Sequence, residues 1–226
     1  MTVINLLEHP VMTAREAARQ LGIPPTTLGH WLEGGVRSGT WYPPVLREEP
    51  TGSSEITWGE VVEARYLRAY RQRVSMQQLR QVVTGLRREL RLPYPLAHSQ
   101  PFVGPGRRLL LAIQEDAGLS DSMRMVYEVT TGQLILDSRV DDFLAHVTFD
   151  DEGERQAQRI HPAGRRSPVV MDPRVGSAAP TVRGIRTEVL AELADSDVSV
   201  EEIAADFALP AAEVKAALSY EWARSA

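Results

Sequence analysis

The sequence contains no cysteine. That excludes disulfides, thiolate metal ligands, a cysteine nucleophile and thiol redox sensing together. Lysine is almost missing as well. Lys215 is the single lysine among 25 basic residues, so positive charge is carried by arginine, whose planar fork suits phosphates and carboxylates. No run of 18 apolar residues occurs and no charged-then-apolar segment opens the chain, so a cytoplasmic protein with no membrane association is expected. The five histidines, His9, His30, His98, His146 and His161, lack metal-ligand spacing. There is no Gly-x-Ser-x-Gly and no phosphate loop. Asp141-Asp142 and Asp150-Asp151-Glu152 are adjacent acids that read as solvated turns. No catalytic residue, metal or cofactor is therefore expected, and the chain does not read as an enzyme.

What is present is a 226-residue chain with 43% hydrophobic and 24% charged residues. It is long enough for a sizeable core and for two or three small domains. The net charge of -5 is unevenly spread. Residues 65–91 hold eight arginines and one acid, whereas residues 170–226 hold ten acids and five basic residues. A basic N-terminal part and an acidic C-terminal part point to two different partners.

The stretch Thr13 to Leu32, TAREAARQLGIPPTTLGHWL, reads as a helix-turn-helix. Thr13-x-x-Glu16 is a capping box, in which hydroxyl and carboxylate each satisfy an orphan N–H at a helix start. Gly22 stands where a helix can end in a left-handed residue. Ile23-Pro24-Pro25 turns the chain. Thr26 or Thr27 is expected to cap a second helix carrying Leu28, Trp31 and Leu32. Ala18, Gly22 and Leu28 sit where a DNA-binding helix-turn-helix needs a small residue, a turn glycine and a core aliphatic.

Gly34 to Gly39 reads as a flexible connection. Trp41 to Arg47 and Glu55 to Thr57 flank the turn-rich EEPTGSS, which predicts a hairpin, a wing beside the helix-turn-helix. Thr57-x-x-Glu60 and Ser75-x-x-Gln78 open two more helices, with Leu79, Val82, Val83, Leu86 and Leu90 at helical spacing. Tyr70, Leu86 and Leu90 are candidates for a surface left over after packing. Residues 96–165 read as a β-rich module, with strands at Arg107 to Ile113, Met125 to Val129, Leu134 to Leu136, Val147 to Phe149 and Gln156 to Ile160. Ser199-x-x-Glu202 caps another helix, and Pro210 sits in the first turn of a last one. Ala204, Ala208 and Val214 repeat the spacing of Ala18, Gly22 and Leu28, but among acids that would repel phosphate. The expected fold class is mainly α with a small β part (α+β), divided as 1–95, 96–165 and 166–226.

The first 95 residues resemble the winged helix-turn-helix of MerR-like regulators, in TAREAARQLGIPPTTLGHW, the YPPV of the wing and ITWGEVVEARYLRAYRQRVSMQQLR. An arginine common in that family after the Thr-Leu pair is replaced by Gly29, so its base readout does not carry over. Residues 168–226 are similar to a small domain found in bacterial type II antitoxins, in DPRVGSAAPTVRGIRTEVLAEL and SVEEIAADFALPAAEVKAALSYEW. Both ends together resemble VapB-type antitoxins, whose partner is a PIN-domain ribonuclease. The resemblance implies a homodimer that binds operator DNA, represses its own operon and neutralises a cognate toxin. The implied DNA contacts are Arg15, Thr26, Thr27 and His30 at the groove, with Arg37, Tyr42 and Arg47 on the backbone. Arg174, Arg183 and Arg186 around Gly184 are candidates for a fork into the toxin's acidic site; the alternative is that they pair with Asp172, Glu188 and Glu192. Trp222 is the candidate dimer contact. The competing function is a MerR-like regulator sensing a small ligand in the middle module, where Tyr127 is the one Trp or Tyr side chain.

Overall fold

The computed structural model describes residues 5–128, 131–150 and 155–225. It is an α+β chain whose strands form small antiparallel pairs. Helix starts follow the hydroxyl signals in the sequence. Thr13, Thr57, Ser75 and Ser199 each accept a hydrogen bond from the backbone N–H three residues on, at 3.2–3.4 Å. At Thr13, Thr57 and Ser199 the glutamate also reaches back, completing the box.

In chain order, β1 (Pro10–Thr13) leads into α1 (Ala14–Leu21). Gly22 ends α1 at φ 58°, and the Ile23 N–H returns to the Ala18 carbonyl at 2.9 Å. Next comes α2 (Pro25–Glu33), which begins on Pro25 with Pro24 as a cap lacking any side-chain bond. Neither Thr26 nor Thr27 caps it. Proline in the first turn costs nothing, because its missing N–H would have no helical partner.

The wing is β2 (Gly35–Arg37) paired with β3 (Thr40–Tyr42). It lies one segment earlier than the sequence suggests, and the supposed flexible connection is its first strand. Ser38 and Gly39 both have positive φ, 49° and 78°. Two such residues make the tight turn whose twist matches a hairpin. The segment expected as the second wing strand, β4 (Glu55–Thr57), pairs instead with β1, and its Ile56 is fully buried.

After β4 come α3 (Trp58–Tyr70) and α4 (Met76–Leu90). Tyr70 and Leu86 are fully buried in this chain, so neither is left over for an interface; Leu90 is half-buried. Then α5 (Pro105–Asp116) occupies the stretch expected as the strand Arg107 to Ile113. A short apolar run does not distinguish strand from helix by itself, and the burial of Leu110, Ile113 and Gln114 follows helical spacing. The pair β5 (Val126–Glu128) and β6 (Leu134–Leu136) is antiparallel. The expected end of the first strand at Val129, and Asp151 and Glu152, lie outside the described residues. An unexpected helix, α6 (Ser138–His146), precedes the strand pair β7 (Val147–Phe149) and β8 (Ala157–Ile160).

The chain divides into two units. The first takes the described residues up to Leu144 and adds residues 149–150 and 155–157. Most of the supposed middle module is thus part of the N-terminal unit. The reason is an aromatic cluster: Tyr66 stacks on Tyr70 at 5.2 Å and meets Phe102 at 5.5 Å and Phe143 at 4.9 Å. Trp58 Nε1 donates to the Ala157 carbonyl at 2.7 Å, both groups being buried. A second anchor is Glu63, which is fully buried and bonded to Arg87 at 3.2 Å and to the Leu96 N–H at 3.1 Å.

The second unit contains β9 (Thr181–Val182) and β10 (Ile185–Arg186), then α7 (Thr187–Asp195), α8 (Val200–Asp206) and α9 (Ala211–Ser225). Its core includes Val169, Val182, Leu190, Ile203, Val214 and Leu218. Among the described residues no helix is long and apolar enough to cross a membrane.

Candidate nucleic-acid interface

The two helices α1 and α2 pack against each other through their inward residues. Ala17, Ala18 and Leu21 are buried on α1, and Leu28, Trp31 and Leu32 on α2. The apolar faces meet, and the polar faces are left outward. Arg15 and Thr26 are exposed there, and Thr27 is half-buried. The wing projects beside α2 with Val36, Trp41 and Tyr42 exposed, 62%, 54% and 36%. Val36 faces Trp41 across the hairpin.

His30 joins α2 to the wing. Its Nδ1 lies 3.2 Å from the Gly34 carbonyl. A carbonyl can only accept, so Nδ1 carries the proton and Nε2 is the ring nitrogen left for another partner. Gly35 makes this possible, since a Cβ there would lie 2.3 Å from Nδ1. Arg37 is exposed on β2.

Arg47 does not reach a surface. It is 8% exposed. Nε donates to Glu60 at 2.7 Å and Nη2 to the Glu55 carbonyl at 2.7 Å, while Nη1 meets Glu33 and Thr51. Glu33 in turn accepts from the Gly52 N–H at 2.8 Å. Burial alone would lower the Arg47 pKa, but Glu60 and Glu33 outweigh it and hold it above the ordinary arginine value. Arg47 therefore stitches the loop after it to the end of α2 and the start of α3. It is removed from the backbone contacts expected from the sequence.

Arg80, which sequence reasoning missed, lies beside the wing. Its Nε donates to the Pro43 carbonyl at 2.9 Å. The signal available was the excess of arginine over acid at 65–91, which did not single out any one residue.

The second unit repeats the same turn. Ser199 and Glu202, Ala204, Ala208, Pro210, Val214 and Leu218 follow Thr13 and Glu16, Ala18, Gly22, Pro24, Leu28 and Leu32 at one constant offset. The Leu209 N–H bonds the Ala204 carbonyl at 2.9 Å, as Ile23 does Ala18. Ala208 takes the left-handed φ of 52° that Gly22 takes at 58°. The outward chemistry differs. Glu201 stands where Arg15 does, and Glu213 where Thr27 does. Glu213 is held by Arg183 through two bonds, 2.9 and 2.8 Å. A carboxylate pair at the would-be groove position disfavours phosphate.

The three C-terminal arginines do not act as one cluster. Arg183 is bound to Glu213, not to Glu188 or Glu192. The Arg174 side chain meets Gln158 and lies 3.8 Å from Asp172. Asp172 also accepts from Arg159 at 2.6 Å. Arg186 is exposed, and its side chain bonds no described residue. Trp222 is 52% exposed on α9, whereas Leu218 is core. Among the described residues no group of three His, Asp or Glu side chains is placed to hold a metal ion.

A family model described as a protein of unknown function (DUF433) matches residues 169–220. Over 228 residues the chain is 34% identical to the uncharacterized protein Rv2308 of Mycobacterium tuberculosis, spanning 97% of this chain and 93% of that protein. The chain belongs to the Rv2308 family. This Rv2308-family chain is also 29% identical over 188 residues to VapB45 of the same organism, a protein named as a candidate antitoxin, with 77% of each covered. The crystal structure of Rv2018 from Mycobacterium tuberculosis matches it with a TM-score of 0.70 and 26% identity, over 92% of this chain and 97% of that one.

Proposed function

We propose that this chain is the antitoxin of a type II toxin-antitoxin pair, that it neutralises a PIN-domain ribonuclease, and that it binds operator DNA through a MerR-like winged helix-turn-helix to repress its own operon. The observation that carries the reading is the likeness to VapB45 across 77% of both chains, joined to a capped helix-turn-helix with a wing at its side. Arg15, Thr26, Thr27 and His30 face the groove in this reading, and Arg37 and Tyr42 the backbone. Two copies on an inverted repeat would place half-sites about one helical turn, roughly 34 Å, or a multiple apart.

The test uses the whole chain. Co-expressed with the ribonuclease encoded beside it, the chain is expected to restore growth; toxicity undiminished by a folded antitoxin overturns the reading. Among the described residues no side chain engages the Arg186 fork, so Arg186→Ala should weaken rescue more than Arg174→Ala. Equal rescue by both discards the arginine mechanism while leaving the pairing intact.

Dimerisation is assigned to the end of α9. An aromatic ring half in water is favourably buried against its copy. Trp222→Ala is expected to shift the light-scattering mass from dimer toward monomer at micromolar concentration. An unchanged dimer removes Trp222 from the interface.

A further inference from the structure

Between α2, the wing and the start of α4 lies a cleft of about 260 Å³. His30, Trp31, Arg37, Tyr42, Gln77 and Arg80 line it. No carboxylate is among its lining residues. That sets Arg80 apart from three other arginines of the same unit. Arg47 meets Glu60, Arg87 meets Glu63, and Arg139 meets Asp137. Arg80 is half-buried, and burial holds its pKa below the ordinary arginine value. Its Nε is spent on the Pro43 carbonyl at 2.9 Å and, less directly, on Pro44 at 3.4 Å. Its two terminal nitrogens make no hydrogen bond to any described residue.

A half-buried guanidinium that has lost water and gained no anion is poised to gain most from one. The anion must be small enough for the cleft, must tolerate an aromatic wall, and must arrive on something that α2 and the wing approach together. We propose that the cleft seats one backbone phosphate of a DNA duplex, with the free end of Arg80 and the wing's Arg37 donating to its oxygens and the Tyr42 hydroxyl beside them. This rests on the DNA-binding reading above and adds to it a phosphate contact from α4, made by Arg80 beside the wing's Arg37. The bracing of Pro43 by Nε fixes the guanidinium plane, so the fork is set before the phosphate arrives.

The experiment measures binding of the full chain to a duplex of its own promoter by fluorescence anisotropy across a salt series. It is repeated on duplexes carrying one neutral methylphosphonate linkage at successive positions. Wild type is expected to lose about tenfold at one linkage per half-site. Arg80→Ala should lose about tenfold on the native duplex, show a salt slope shallower by about one unit, and lose nothing further at that linkage. Because Arg80 also braces the segment next to the wing that carries Arg37, Arg80→Lys is measured beside it: a cation kept at the site should restore part of the penalty at that linkage although the Nε brace is gone, whereas a merely displaced wing would leave that penalty lost. Arg37→Ala, on the exposed hairpin, should couple to the same linkage and serves if Arg80→Ala folds poorly. If wild type binds the duplex but no linkage couples to either arginine, the phosphate site is overturned and the DNA-binding reading stands. If folded wild type binds no duplex at any salt, both fall.

Discussion

Arg47→Ala is expected to cost about 3–5 kcal/mol of stability, the range for removing one partner of a buried ion pair. The Arg47 side chain is 6% exposed and Glu60 3%. Alanine there leaves Glu60 buried without its cation, and Glu33, the Thr51 hydroxyl and the Glu55 carbonyl lose a shared donor. The loop 48–55 would come loose from α2 and α3 together. For a chain of this size each kcal/mol moves Tm by about 2–4 °C, so a fall of roughly 10 °C is expected. Replacing Arg47 and Glu60 together by apolar residues of similar volume should recover much of the loss, because the penalty comes from the stranded charge. Thermal unfolding of the three proteins checks this. An Arg47→Ala variant with unchanged Tm and weakened DNA binding would return Arg47 to the interface.

The second large effect is a dependence on pH carried by Glu63. Burial pushes its pKa up to about 7 from an ordinary 4.5, with Arg87 and the Leu96 N–H pulling against that rise. A carboxyl raised in the folded state contributes stability that is fully present below its unfolded pKa and is lost as pH climbs through the folded one. The window is therefore pH 4.5 to about 7, and the shift corresponds to about 3 kcal/mol. Glu63→Gln cannot ionise and resembles the protonated form. Measured by urea unfolding at pH 5 and pH 8, the stability difference between variant and wild type should move in the variant's favour by about that amount. A difference that stays flat would mean that Arg87 keeps Glu63 charged across the whole range.

The parts legible in the sequence were those set by local chemistry. Capping at Thr13, Thr57, Ser75 and Ser199 is a contact three residues long, and so is visible in a string of letters. The left-handed turn at Gly22 and its echo at Ala208 were legible for the same reason. What the sequence hid depends on distant partners. The strand Glu55–Thr57 had to choose between a neighbour across EEPTGSS and β1, and the burial of Ile56 decided it. The run Arg107 to Ile113 was ambiguous between strand and helix until its inward side was known. Arg47 looked like any surface arginine because Glu33 and Glu60 are each more than a dozen residues away. Of the candidate interface, the exposed candidates Arg15 and Thr26 on α1 and α2 could be listed from the sequence, whereas Arg80 could be found only from the cleft it lines.

The bond from Trp58 to Ala157 spans 99 positions of sequence. During synthesis at about 5–20 residues per second, the indole N–H waits roughly 5–20 s after its own residue is made before its acceptor exists. The Ser99 N–H, which bonds the Arg155 carbonyl at 3.1 Å, waits in the same way. The N-terminal unit is therefore finished late, after more than two thirds of the chain has been translated, even though its helix-turn-helix is made first. A nascent chain cut or stalled anywhere before Arg155 leaves Trp58 and Ser99 without these partners, so the N-terminal unit needs the chain through Ala157 to complete them.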